Sequence, residues 1–289
     1  MIINPYIFGG APANLLLDDY PAHAGYSVRL LSNSYSGALV RIRRSSDNAE
    51  KDFYPDTNDE LSLNSEDGAS TSLSTWIGAT NGYVVTWYDQ SGNTLDLTQS
   101  TSSLQPRIVN LGVLETKGGI AAPFYGSGWR LNRAALTALA HSNDNTVVAV
   151  ANHNTANTFG GLYTTDFSAV SSNFMNAVID RRTQKRNLFI FNNSSTLYAS
   201  NLSAQRDVSD QRLLFNIMDS SKNMSSFDNG ATGSTDTYTG TYANTDFNVG
   251  ARTGAVLTGN IQELIVWSSD QSGNRSNIET NINTYYSIY

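Results

Sequence analysis

Cysteine is absent from the 289 residues, which removes disulfides, thiolate catalysis and thiolate-bound zinc together. Charge is sparse: Asp, Glu, Lys and Arg make up 15% of the chain, with only 18 basic residues, few of them lysine. The net charge of −7 and a pI near 4.9 argue against nucleic acid as the main partner, because a phosphate backbone is held by a basic patch that releases counterions. No apolar run approaches the roughly 18 residues of a membrane-spanning helix, so no membrane insertion is expected. The opening Met1-Ile-Ile-Asn-Pro-Tyr-Ile-Phe-Gly-Gly10 has no basic region leading into an apolar stretch, so an ordinary secretory signal is not expected there. No repeat of fixed period is visible, which excludes solenoids and propellers.

Serine, threonine and asparagine fill about a third of the chain, and apolar residues make up 39%. That is enough to bury a core, so the polar bias does not mean disorder. Abundant Thr, Asn, Ser, Gly and Tyr with little charge is the composition of short strands joined by turns. Alternating or β-branched runs predict strands at 39–43, 82–88, 106–109, 145–151, 173–180, 187–191, 212–218, 223–227, 246–250 and 259–267. A short helical turn is expected within 24–32. Asp228-Asn-Gly230 signals a hairpin. The period then changes: Ile278, Ile282 and Tyr285 recur at helical spacing, with Ser276 as cap and Glu279 three residues later. The expected architecture is all-β, a two-sheet jelly-roll sandwich over 26–289 with a short C-terminal helix. An N-terminal arm is expected over 1–25, punctuated by Pro5, Gly9, Gly10, Pro12 and Pro21.

One block is distinctive: Tyr35-Ser-Gly37, Val40-Arg-Ile-Arg-Arg-Ser-Ser-Asp-Asn-Ala49, Asp52, then Thr86-Trp-Tyr-Asp-Gln-Ser-Gly-Asn93 and Leu97-Thr-Gln99. It resembles the catalytic domain of arabinofuranosidase B-type enzymes, which has a concanavalin A-like sandwich. Similar blocks recur in laminin-G-like or lectin-like domains of bacterial surface proteins and tailed-phage virion proteins. The residues themselves suggest a structural role. Trp87 and Tyr88 supply large apolar surfaces, Asp89 and Ser91 can bind their own backbone through a turn at Gly92, and Arg41, Arg43 and Arg44 lie near Asp47 and Asp52.

Sugar cleavage needs two carboxyl groups across the scissile bond. The resemblance implies one carboxylate in a mid-domain strand near 178–183, where Arg181 or Arg182 stands instead and Asp180 is one step off. It implies the other near 249–254, where Arg252 or Thr253 stands. The family's paired cysteines are also missing. These differences lead to an expectation of no glycosidase turnover. Sandwiches of this class bind glycans on a sheet face or its edge loops, with an aromatic platform and planar polar groups. The ligand-binding candidates are Trp129, Arg130, Tyr163, Asp180, Arg182 and Arg252.

Other chemistry is thin. His23, His141 and His153 lack two-histidine zinc spacing, so no cofactor is expected. Calcium is the one ion weighed, on Asp56, Asp59, Glu60, Glu66 and Asp67; that set lacks alternating ligands around a defining glycine, and a solvated acidic loop is the favoured reading. Three classes stay open: a glycan-binding surface module, a structural virion protein and a polysaccharide enzyme. The leading expectation is a non-catalytic phage virion protein — tail fibre, spike or head decoration — that binds host surface glycan. It would meet other virion proteins through the arm and form a homo-oligomer, a trimer by preference. The alternative is an α-L-arabinofuranosidase-like glycoside hydrolase acting on polysaccharide. The matching locations are the virion or, alternatively, the bacterial cell surface or extracellular space.

Overall fold

In Val40–Arg44 the apolar Val40 and Ile42 alternate with arginines, the pattern of a strand with one face in a core. Such strands build two antiparallel sheets in a computed structural model that describes residues 14–126, 128–155, 158–167, 174–180, 186–193, 196–201 and 210–289. The strands in the first half are β1 (Ala24–Ser27), β2 (Val40–Arg44), β3 (Glu50–Phe53), β4 (Gly82–Trp87), β5 (Leu97–Thr98), β6 (Arg107–Asn110), β7 (Phe124–Tyr125), β8 (Leu131–Ala134) and β9 (Asn145–Ala151). The second half supplies β10 (Phe159–Thr164), β11 (Phe174–Asp180), β12 (Arg186–Asn193), β13 (Thr196–Asn201), β14 (Arg212–Met218), β15 (Asn223–Asp228), β16 (Ala231–Thr237), β17 (Asp246–Val249) and β18 (Gly259–Trp267). Helices are α1 (Leu16–Asp19), α2 (Leu73–Ile77) and α3 (Arg275–Tyr286).

One sheet runs β16-β15-β14-β9-β18-β1. The larger sheet runs β3-β2-β4-β5-β8-β17-β10-β11-β12-β13. β6 adds to β4, and β7 links β6 to the first residues of β18, so the long last strand touches both sheets. The expected two-sheet jelly-roll sandwich with a C-terminal helix is what is found.

The core lies between the sheets. Tyr26 of β1 meets Trp87 of β4 with ring centroids 6.1 Å apart, and the Asn216 amide of β14 donates to the Tyr163 hydroxyl of β10 at 3.2 Å. Each such large side chain contributes about 1.5–3 kcal/mol by leaving water. The Trp-Tyr-Asp-Gln-Ser-Gly block ties this core together. Trp87 Nε1 donates to the Ser27 carbonyl at 3.1 Å. Asp89 accepts from the backbones of Gly25, Ser91 and Leu95, and Gln90 bonds both Leu31 N and Arg29 O. The arginine clasp is divided: Arg41 binds Asp52 through two 2.8 Å bonds, Arg44 binds Asp47, and Arg43 turns to Gln105 and Asn48.

Several expectations change. Residues 24–27 form a strand, not a helical turn, because all four are buried opposite Val266 to Glu263 of β18. The terminal helix begins one residue before Ser276, after Asn274, and Tyr286 rather than Tyr285 is its fully buried aromatic. β10, β13 and β16 were not expected. β16, Ala-Thr-Gly-Ser-Thr-Asp-Thr, carries no apolar alternation; it forms because Asn229 (φ 50°) and Gly230 (φ 76°) turn the chain back onto β15. Of the expected arm, residues 1–13 lie outside the described residues, while Leu16 and Leu17 are buried in the core.

Candidate functional site

Pairing registers place a continuous polar row across the face of the large sheet that points away from the core. Asp52 stands opposite Arg41, Arg41 opposite Thr86, Thr86 opposite Thr98, and Thr98 opposite Asn132. The row continues through Asn248, Thr164 and Asn176. Residues directly opposite share a face. The neighbouring positions Phe53, Val40, Trp87, Leu97, Leu131, Val249 and Tyr163 form the apolar inner row by the same registers.

The far end of the polar row is covered. Asn248, Thr164 and Asn176 are at most 3% exposed, and the chain after β10 folds back beside Thr164 and Asp246. Thr164 Oγ1 donates to the Asp166 carbonyl. Phe167 N–H donates to Asp246 Oδ1 at 3.0 Å, and the Phe167 carbonyl accepts from Thr253 Oγ1 at 2.8 Å. Among the described residues Asn176 Oδ1 and Nδ2 have no hydrogen-bond partner, and leaving a buried polar group unmet costs about 1–3 kcal/mol.

Phe167 is the hub of the site. The Arg130 guanidinium lies 4.3 Å from its ring centroid. Asp246 Oδ1 also accepts from Asn248 Nδ2 at 2.7 Å. Burial pushes the Asp246 carboxyl above its usual value, with the nearby Asp166 charge adding to the effect, against the pull of Phe167 N–H, Asn248 and Arg130. Such a carboxyl holds its proton more tightly than a solvated aspartate does.

The expected site residues divide. Arg130 and Arg252 both come to this region: Arg252 donates to the Thr253 carbonyl at 2.9 Å and lies over the Phe159 ring, and burial lowers its pKa from the usual arginine value. Asp180 stands in register opposite Phe159, so the backbone brings it to the same end of β10 as Arg252. Trp129 packs edge-on against Tyr83 and Phe124, at 6.0 Å from each. Tyr163 points into the core and is 1% exposed, out of reach of a ligand on the outer face. Arg182 lies outside the described residues. Sequence reasoning missed Asp166 and Asp246. Asp246 carried a signal, as a carboxylate on the polar side of a predicted strand; Asp166 lies just past β10, a strand that was not predicted.

The remaining candidates are accounted for locally. His141 Nε2 donates to the Gly240 carbonyl at 2.6 Å, with its ring against Tyr238 and Tyr242. Asp56 accepts from Asn58 N and Ser62 Oγ, Asp67 pairs with Lys51, and Glu60 accepts from the Tyr285 hydroxyl. Among the described residues no three His, Asp or Glu side chains gather as metal ligands.

The family model for the α-L-arabinofuranosidase B catalytic domain matches residues 17–111. Among solved structures, a GH54 α-L-arabinofuranosidase soaked with a cyclic sulfate inhibitor superposes with a TM-score of 0.64 at 16% identity. A point mutant soaked with 4-nitrophenyl α-L-arabinofuranoside gives 0.66, and an arabinofuranosidase complexed with arabinofuranosyl-α-1,2-xylobiose gives 0.60, each at 16% identity. Each superposition covers 92% of this chain and 64% of the solved one. No curated protein sequence matches. The expectation of a non-catalytic virion surface protein is thereby corrected, since the family model and these structures belong to arabinofuranosidases and favour the hydrolase alternative. Residues 17–111 carry the arabinofuranosidase B pattern, and the fold over most of the chain is the sandwich of the GH54 arabinofuranosidases.

Proposed function

We propose that the chain is an arabinofuranosidase-like glycoside hydrolase acting on polysaccharide, with its active site on the outer face of the large sheet around Phe167. The observation that carries this reading is where the family pattern falls. Residues 17–111 supply Asp52, Arg41, Thr86 and Thr98, one half of the polar row whose other half leads to Asn248 and Thr164. Carboxylates for hydrolysis are at hand in Asp246 and Asp166, with Asp180 in register at the Phe159 end. Arginines and amides suit sugar hydroxyls. A polysaccharide substrate favours a cell-surface or extracellular setting.

The test is release of arabinose from arabinan or arabinoxylan, beside hydrolysis of 4-nitrophenyl α-L-arabinofuranoside. Turnover that scales with protein and survives repurification supports the reading. Absence of turnover on all three substrates from pH 4 to 8 overturns it.

A further inference from the structure

We propose that Tyr54, Tyr88 and the Arg41–Asp52 pair form a second carbohydrate-binding site, apart from Phe167, that holds a neutral polysaccharide by sugar residues that are not being cleaved. The site stands on its own residues and rests on the hydrolase reading only for the choice of arabinan as its ligand.

Strand alternation puts Asp52 and Tyr54 on the outer face of the large sheet, while Phe53 between them is fully buried. Tyr88 reaches the same face: its hydroxyl donates to Asp52 Oδ1 at 2.6 Å, and the same carboxylate takes two bonds from Arg41. Tyr35 is a third ring there, held by its hydroxyl bond to the Ala38 carbonyl at 2.6 Å. Burial and then Asp96 raise the pKa of the Tyr35 hydroxyl, and its neighbours Tyr88 and Tyr54 add to the shift. Tyr54 is the open member, 36% exposed. From it the chain runs into a concavity of about 530 Å³ lined by Pro55, Asp56, Thr57, Asn64 and Glu66, within the roughly 300–1,000 Å³ of small-ligand sites. Asp56 is engaged by Asn58 N and Ser62 Oγ, whereas the Thr57, Asn64 and Glu66 side chains make no hydrogen bond with the described residues.

These are the groups that a sugar chain needs. Aromatic rings meet its C–H faces, and planar carboxylate, amide and guanidinium groups meet its hydroxyls. The two-bond Arg41–Asp52 pair fixes the orientation of both partners before a ligand arrives. Charge decides the kind of polysaccharide. From Asp47 to Asp67 the chain carries eight acidic residues and one lysine, a field that repels uronate polymers and leaves neutral ones. Distance separates this site from Phe167. The polar row crosses five strand-to-strand steps from β3 to β17, which at roughly 4.8 Å each is about 24 Å. A polymer can span that distance, whereas a glycoside of one sugar bound beside Phe167 cannot.

The experiment measures binding rather than turnover. In native gels, linear arabinan is expected to retard the unaltered protein and Tyr54→Phe, while Tyr54→Ala binds it about fivefold more weakly or worse. Polygalacturonate is expected to retard none of them. In the unaltered protein, linear arabinan should also shield Tyr54 from nitration by tetranitromethane, read by peptide mass spectrometry. Tyr289, 52% exposed beside the Gly230 turn of the other sheet, should react as before. That readout does not depend on how a variant folds. Equal retardation of Tyr54→Ala and the parent, retardation by polygalacturonate as strong as by arabinan, or nitration of Tyr54 unchanged by arabinan overturns the assignment. Hydrolysis of 4-nitrophenyl α-L-arabinofuranoside, too short to reach Tyr54, tests the hydrolase reading separately. Binding at Tyr54 without that turnover keeps the site and overturns the reading; turnover without binding at Tyr54 does the reverse.

Discussion

Asp246 Oδ1 accepts the backbone N–H of Phe167 at 3.0 Å. This bond anchors the segment after β10 beside the polar face. Its first consequence concerns stability. The folded-state pKa of Asp246 is raised by burial and by Asp166, so the native state binds this proton more tightly than the unfolded chain does. The stabilisation is full below the ordinary aspartate pKa and is lost as pH rises through the folded value. Asp246→Asn should therefore melt higher than the parent at pH 8, with the gain shrinking at pH 4. Calorimetry at the two pH values checks the sign.

Asn176 should behave in a similar way for a different reason. Its amide is buried with both polar atoms unpaired, so replacing it with an apolar side chain of like size removes a desolvation cost. Asn176→Leu is expected to leave urea stability unchanged or raise it by about 1 kcal/mol. A large loss of stability would mean that the amide is satisfied in the folded protein.

Arg29 and Glu263 form a buried ion pair at 2.8 Å, with side chains 7% and 0% exposed. Ser27 and Tyr286 hydroxyls also bond Glu263. Removing one partner strands a buried charge, so Arg29→Ala should cost about 3–5 kcal/mol in urea unfolding. The double variant Arg29→Met, Glu263→Leu should cost much less, because no charge is left behind.

The Arg41–Asp52 pair governs acid sensitivity at the other end of the polar row. Its two bonds, with the Tyr88 hydroxyl, hold the Asp52 carboxyl below its usual pKa. A depressed folded value gives stability that is present above the ordinary aspartate pKa of about 3.9 and lost as pH falls through the folded one. Asp52→Asn should therefore flatten the fall in stability below pH 4 and lower stability at pH 7. Both partners are partly exposed, so raising the salt concentration should shrink the difference.

The fold was readable where side chains repeat with the period of the backbone. β9 and β14 are rich in β-branched or large apolar residues and fall at their expected bounds, and Ile278 and Ile282 mark the buried side of α3. The pattern failed where a strand owes its existence to its neighbours. β1 was mistaken for a helical turn because its inward and outward residues are all buried. β10 hid behind Gly160 and Gly161, where side chains would strike His153, Leu257 and the backbone at Ala255. The site was less legible still. Arginine in a turn-rich segment is conspicuous, which marks Arg130 and Arg252, but the placing of Arg130 over Phe167 and Arg252 over Phe159 depends on contacts between residues far apart in the chain. Tyr163 was a reasonable aromatic platform by type; a bulge in β10 beside it and the Asn216 bond commit its ring to the core.

The most direct measurement of the central claim is arabinose release from arabinan by the purified protein. The account predicts clear turnover that scales with protein and survives repurification. No arabinose released by the unaltered protein at any pH between 4 and 8 would contradict it.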